Sequence, residues 1–264
     1  MTKTSEPGIN LNLAQKLQAC LTADAAALFQ FIQETDPTIL LSLLKNPQLT
    51  DDHLFVLLKR RDLTEELISA IYRLRKQSIS HRLVVALVKN PSAPGHLVRN
   101  LLPQLRLFEL VDICYLPGVT PDQKLAAERS ILQRLPTTPL GNKITLARRG
   151  TANIVAELLK EGQPQLVEAC LSSTRIKEAA IFQFLRGTSA NAETISLIAR
   201  HQRWQHNPNL RLAILQNYKT PEIWFTLWLP KAHTHILKQL YSRHKHNPAR
   251  KRFIEAEFSR RNIR

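Results

Sequence analysis

Apolar residues recur along this chain at three- and four-residue intervals, in short runs broken by polar corners. Leu13, Leu17, Leu21, Ala25, Leu28, Phe29 and Ile32 carry that spacing across 9–34, which predicts two short helices parted near Thr22 and Asp24. Thr50 stands before Asp51 and Asp52 and the stripe Leu54 to Leu58, and Thr64 stands before Glu65 and Glu66. In each case an oxygen-bearing residue is placed to accept from the first free N–H groups, and carboxylates occupy the turn where the helix end is positive. Ser78 to Ser80 likewise precede Leu83 to Val88. The most complete start signal is Thr120-Pro121-Asp122-Gln123, with Thr as N-cap, Pro at the first helical position and Gln able to close a capping box. Further helices are predicted near Gly95 to Leu102, Leu105 to Cys114, Pro121 to Leu135, Leu140 to Ala147, Ile154 to Leu159 and Leu166 to Leu171. Others follow near Ile176 to Leu185, Thr194 to Ala199 and Leu210 to Leu215, and then Thr220-Pro221 opens a last unit that runs into Ile236 to Tyr241.

Two corners read almost alike: Leu43-Leu44-Lys45-Asn46-Pro47 and, 44 residues later, Leu87-Val88-Lys89-Asn90-Pro91. A weaker pair, Ser173-Thr174 and Asn217, has the same spacing. Three predicted helices fill one such interval, and a fixed period of this length signals stacked helical units. The expected fold class is all-α, a right-handed α-solenoid of about four to five three-helix repeats. The expected division is N-terminal capping helices over 1–45, the repeat array over 46–230 and a basic C-terminal helical cap or tail over 231–264.

A 44-residue unit of three helices resembles the armadillo and HEAT classes, and Asn46-Pro47-Gln48-Leu49-Thr50 is similar to the leucine-rich repeat variant proteins of bacteria. The stretches Leu140 to Arg149 and Arg200-His201-Gln202-Arg203-Trp204 also resemble parts of bacterial helical-repeat proteins. The resemblance implies a fold and no activity. Leucine-rich repeat variant proteins can carry an iron–sulfur module, and the clustered cysteines it needs are missing from this sequence.

Composition narrows the class. Only 7 of 264 residues are glycine and 44% are hydrophobic, which fits packed helices better than sheets or disorder. No run approaches the roughly 18 apolar residues of a membrane span. The opening Met1-Thr2-Lys3-Thr4-Ser5-Glu6-Pro7 has no apolar signal core, so a soluble cytoplasmic protein is expected. Cys20, Cys114 and Cys170 sit singly inside apolar runs and are expected to be reduced core residues.

The net charge of +16 is unevenly placed. From Arg200 to Arg264 there are 14 Lys and Arg against Glu222, Glu255 and Glu257, a net +11, whereas the first 199 residues hold 23 against 18. Such an excess suits a polyanion. The expected contacts are Arg148, Arg149, Arg200, Arg203, Arg243, Lys245, Arg250, Lys251, Arg252, Arg260 and Arg261, with Trp204 and Tyr241 as candidates to stack on bases. Lys59-Arg60-Arg61, Arg73, Arg75 and Lys76 would extend the track if they share its face. Trp224 and Trp228 fall at helical spacing with Ile223 and Leu227 and read as core.

The expectation is therefore a non-enzymatic protein that contacts nucleic acid or an acidic protein through its basic C-terminal region. A protein-interaction scaffold using a concave solenoid face is the alternative, and a HEAT-like DNA glycosylase the minor one. His233 with His235 and His244 with His246 are the only paired metal donors, and no Cys lies near them, so no metal or other cofactor is expected. No phosphate loop, His-Glu-x-x-His or nucleophile elbow occurs, and no catalytic residue is expected. Glu109 and Asp112, one helix turn apart, are the single acid pair weighed for acid–base work.

Overall fold

The computed structural model describes residues 11–262, so the N-terminal leader reading over Met1 to Pro7 lies outside the described residues. Eighteen α-helices and three short 3₁₀ turns account for the regular structure, and no strand occurs among the described residues. The all-α expectation holds at that level. No helix among them is long and apolar enough to cross a membrane. The chain divides into two compact units, residues 1–131 and 132–264.

In the first unit the helices are α1 (Leu11–Thr22), α2 (Ala25–Phe31), α3 (Pro37–Leu43), α4 (Asp51–Leu58), α5 (Glu65–Arg75), α6 (His81–Lys89), α7 (Gly95–Leu101), α8 (Leu107–Tyr115) and α9 (Pro121–Arg134), the division falling inside α9. Most start signals form, although Ser80 stands at the N-cap of α6 without a side-chain capping bond. Asp24 accepts from Ala27 N–H at 2.8 Å and Thr64 from Leu67 N–H at 3.3 Å. Thr120 and Gln123 close a reciprocal capping box, at 3.0 and 3.3 Å. At α4 the reciprocal partner of Thr50 is His53, whose Nδ1 lies 3.1 Å from the Thr50 nitrogen.

The second unit holds α10 (Leu140–Arg149), α11 (Ala152–Leu159), α12 (Pro164–Leu171), α13 (Glu178–Arg186), α14 (Ala192–Arg200), α15 (Pro208–Gln216), α16 (Glu222–Trp228), α17 (Thr234–Arg243) and α18 (Pro248–Arg260). Thr220 does not cap α16 as expected. It is buried, and its hydroxyl donates back to the Ile214 carbonyl, leaving Pro221 at the N-cap. Residues 231–262 pack rather than trail: α17 lies against α15, α18 against α16, and Leu237, Leu240 and Ile254 share one apolar cluster with Leu215, Phe225 and Leu229.

Most of these helices are two to three turns long, too short to persist alone in water. Their order comes from alternation. Within each unit many helices pack on the helix two further along as well as on a neighbour: α1 on α3, α3 on α5 and α4 on α6 in the first, and α10, α12 and α14 or α11, α13, α15 and α17 in the second. Two rows result, one of odd and one of even helices.

Side chains tie the corners of each row together in the same step. The last carbonyls of a helix have no intrahelical partner. Here a donor from the corner two helices later supplies one. Asn46 Nδ2 donates to the Cys20 and Ala23 carbonyls at 2.8 and 3.0 Å, and Asn90 Nδ2 to those of Leu58 and Arg60 at 2.9 and 2.8 Å. Arg60 reaches the Ile32 and Glu34 carbonyls, and Arg75 reaches that of Leu49. In the second unit Arg203, Asn217, His244 and Arg261 do the same for Ser173, Leu185, Leu215 and Leu229. Two glycines keep other corners close. Gly118 (φ +86°) would set a Cβ 3.1 Å from Pro91 Cβ, and Gly162 (φ +71°) one 2.7 Å from the Ser189 carbonyl.

These ties recur at separations of 23 to 33 residues, not at 44. The 44-residue echo links corners three helices apart, and three is odd, so Asn46 and Asn90 make the same tie in opposite rows. The principal contacts between non-neighbouring helices join helices two apart.

The Asn90 tie is open to direct measurement. Asn90→Ala strands two carbonyls at a position only 4% exposed, and a loss of about 2–4 kcal/mol in unfolding free energy is expected from urea denaturation. A loss under about 0.5 kcal/mol, the scale of a neutral surface change, would show that the tie contributes nothing.

Candidate functional site

Charge is divided between the units more sharply than along the chain as a whole. Residues 132–264 hold 22 Lys and Arg against 8 acids, all glutamates, whereas residues 1–131 hold 15 against 13. The second unit therefore carries +14 of the total +16. Position then decides which of its cations face solvent.

Four of the expected contacts are engaged by the fold's own groups, though only Arg250 is buried. Arg250 is buried, with Nη1 2.9 Å from the Asn217 carbonyl, Nη2 2.8 Å from that of Thr220 and its guanidinium 5.5 Å from the Phe225 ring centre. Burial pushes its pKa below the usual arginine value, which still leaves it cationic at neutral pH. Arg261 donates to the carbonyls of Leu229, Pro230 and Ala232 and also meets Glu257. Arg203 donates to Ser173 and lies 4.5 Å from the ring of Trp204. Lys251 sits 3.2 Å from Glu255 and 5.4 Å from the Tyr241 ring.

Neither expected stacking residue offers a free face. Trp204 is buried and its indole N–H donates to the Leu171 carbonyl at 3.2 Å. Tyr241 is half-buried against Phe258, with its hydroxyl donating to Glu255. Trp224 donates to Ser196, and its ring lies 4.9 Å from that of Trp228. Arg260 stays largely exposed but pairs with Glu257, whose carboxyl the Arg260 contact holds below the usual glutamate range.

The other expected cations lie on the surface in separate places. Arg148 and Arg149 are exposed in the last turn of α10, and Arg200 ends α14 beside Glu168 in a small cleft of about 300 Å³. Arg243, Lys245 and Arg252 are exposed on or near α17 and α18. Of the set, Arg243 alone lines a cleft that carries other Lys and Arg side chains of the unit.

That cleft lies across α13, α15 and α17 and has a volume of about 470 Å³. Arg186, Lys219 and Arg243 supply its cations, Asn209, Gln216 and Gln239 its amides, and Phe182 and Leu212 its apolar floor. Tyr218 stands at its edge, 71% exposed. A second cleft of about 230 Å³ shares Leu212 and carries Arg211, Lys231 and His233 beside Trp228. No carboxylate lines either. Arg186, Arg211, Lys219, Lys231 and Tyr218 were not among the sequence candidates. For Tyr218 a signal existed, because it directly follows the Asn217 corner that echoes Ser173.

The remaining candidates resolve into structural parts. Among the described residues no group of three or more His, Cys, Asp or Glu is placed to hold a metal ion. His233 and His235 stack with ring centres 5.8 Å apart, while His244 turns inward to the Leu215 carbonyl at 2.7 Å. All three cysteines are buried free thiols, and burial pushes Cys114 up to about 11 and Cys170 up to about 12. Glu109 accepts from Arg106 N–H and pairs with His81, and Asp112 lies 3.9 Å from Lys89, so the two acids have separate partners.

Two substitutions test these assignments. Arg250→Met leaves two carbonyls without donors and is expected to lower stability by about 2–4 kcal/mol, with Arg252→Met within about 0.5 kcal/mol of the parent in the same urea titration. Burial lowers the pKa of His244, so its stabilising share is present above about pH 6.5, the unfolded value, and is lost as pH falls below it. The drop in Tm between about pH 7.5 and 5.5 should therefore be smaller in His244→Gln than in the parent; an equal drop would remove His244 as a source.

No protein-family model, curated protein or solved structure matches this chain, so its functional reading rests on its own side chains.

Proposed function

We propose that the second unit binds nucleic acid, as a non-enzymatic helical-repeat protein. The observation that carries this reading is the pair of adjoining clefts with five cations and a histidine and no carboxylate. Phosphates are held mainly by such cations, through the release of condensed counterions. Cations engaged on helix ends add to the field without touching a ligand, so the unit's +14 exceeds its number of contacts. Within each unit the helix pairs are read as α-solenoid, similar to HEAT repeats in packing and built on two helices rather than three. Buried free thiols fit a reducing compartment such as the cytoplasm.

An acidic protein partner could use the same cations. One feature favours a protein ligand elsewhere: Ile223 and Leu227, one turn apart on α16, are 55% and 51% exposed.

Binding of a fluorescein-labelled oligonucleotide, followed by anisotropy across a salt series, tests the reading. Affinity should fall steeply with salt, and Arg186→Ala or Arg243→Ala should each reduce the log–log slope by about one. Arg252→Ala, outside the clefts, should leave the slope unchanged. Absence of binding at low salt would sink the proposal, and partner capture that survives nuclease treatment and needs Ile223 and Leu227 would favour the protein ligand.

A further inference from the structure

We infer that the α13–α15–α17 cleft takes a single-stranded nucleic acid, with an unpaired base stacked on Tyr218 and flanking phosphates on Arg186 and Arg243. This rests on the nucleic-acid reading and specifies which form is bound and how.

Tyr218 is the most exposed large hydrophobic side chain among the described residues, at 71%. Its exposure is built in by its neighbours. Asn217 Nδ2 donates to the Leu185 carbonyl at 2.6 Å, and its Oδ1 accepts the Lys219 N–H at 2.8 Å. The Lys219 ammonium then reaches the Thr188 and Ala190 carbonyls, both at 2.8 Å. Residues 217 and 219 are thus tied to the corner that follows α13, and the ring between them is displayed on a fixed stretch of backbone. A ring held this way meets a ligand with little further loss of backbone freedom.

The charges and amides around the ring suit a nucleotide. Lys219 lies 5.8 Å from the ring centre, and no acid lines the cleft. Arg186 ends α13 and Arg243 ends α17, with α15 between them. Packed helices stand about 8–10 Å apart, so the axes of α13 and α17 lie up to about 16–20 Å apart, and both arginines line the cleft that spans them. Asn209, Gln216 and Gln239 line the same cleft. Amide side chains both donate and accept, as base edges require. A volume of about 470 Å³ falls in the range of clefts that enclose a small ligand, about 300–1,000 Å³.

Duplexes hide base faces inside the stack and offer Tyr218 only phosphate and sugar. Unpaired bases expose the face that an aromatic ring needs, and stacking of this kind is worth about 1–3 kcal/mol per base. Because it involves no charge, it should not alter the salt slope.

The test uses the full chain with labelled single-stranded RNA and DNA of one sequence, and with the duplex of the same length. Tyr218→Ala should weaken single-strand binding by about 5- to 150-fold, the stacking energy converted at 1.4 kcal/mol per tenfold. Duplex binding should change by less than about twofold, and Tyr218→Phe should restore most of the single-strand affinity. A 2-aminopurine placed in the strand should be quenched by the parent and by Tyr218→Phe and not by Tyr218→Ala. Tyr218 is exposed, so its replacement removes no buried packing, and the Tm of each variant checks that the fold is kept. Equal loss for duplex and single strand, or no loss for either while Arg186→Ala and Arg243→Ala still weaken binding, overturns the stacking inference and leaves the nucleic-acid reading standing. No binding of any form at low salt overturns both.

Discussion

Carbonyl groups at the ends of short helices set the terms for this fold. A helix of two or three turns has nearly as many unpaired backbone groups as paired ones, and the eighteen helices among the described residues, most of them this short, multiply the problem. The solution is distributed: amides, guanidiniums, an indole and an imidazole each travel from one corner to the corner two helices back. Because the helix C-terminus carries partial negative charge, cations are favoured there electrostatically as well as by hydrogen bonding. The apolar rows and the polar corners thus enforce the same pairing of elements.

This arrangement changes what a basic composition means. Many arginines of the second unit face the backbone, and their charge answers to carbonyl dipoles rather than to a ligand. Arg250, Arg203 and Arg261 belong to that class, while Arg186 and Arg243 point to solvent. The two classes look identical in composition. The complete lack of aspartate beyond Ile131 nevertheless leaves the solvent-facing cations with few local partners.

Helix starts were readable because capping is local: Thr64 and the Thr120–Gln123 pair act over three residues, and the sequence displays all the participants. The buried cysteines and the apolar stripes were readable for the same reason. The two-helix step of the ties is not legible, because the Asn46 and Asn90 corners are alike in sequence while their partners, Cys20 and Leu58, are 26 and 32 residues away and share no motif. Arg250 and Arg252 show the limit at the site. They are two residues apart on α18, about 200° around a helix of 3.6 residues per turn, so one is buried and the other exposed. Only the phase of the helix against its neighbours separates them. Tyr218 was missed because exposure depends on ties made by Asn217 and Lys219 to residues some thirty positions earlier.

A tie that always steps back two helices imposes a parity rule on the chain's history. Insertion or deletion of a single helix would exchange the rows downstream, so that every later Asn, Arg or His would confront the wrong corner. Gain or loss of a helix pair keeps each donor opposite a carbonyl of the same kind. The corner ties therefore act as a reading frame written in tertiary contacts, in which lengths may vary freely inside a loop while the count of helices changes only by twos.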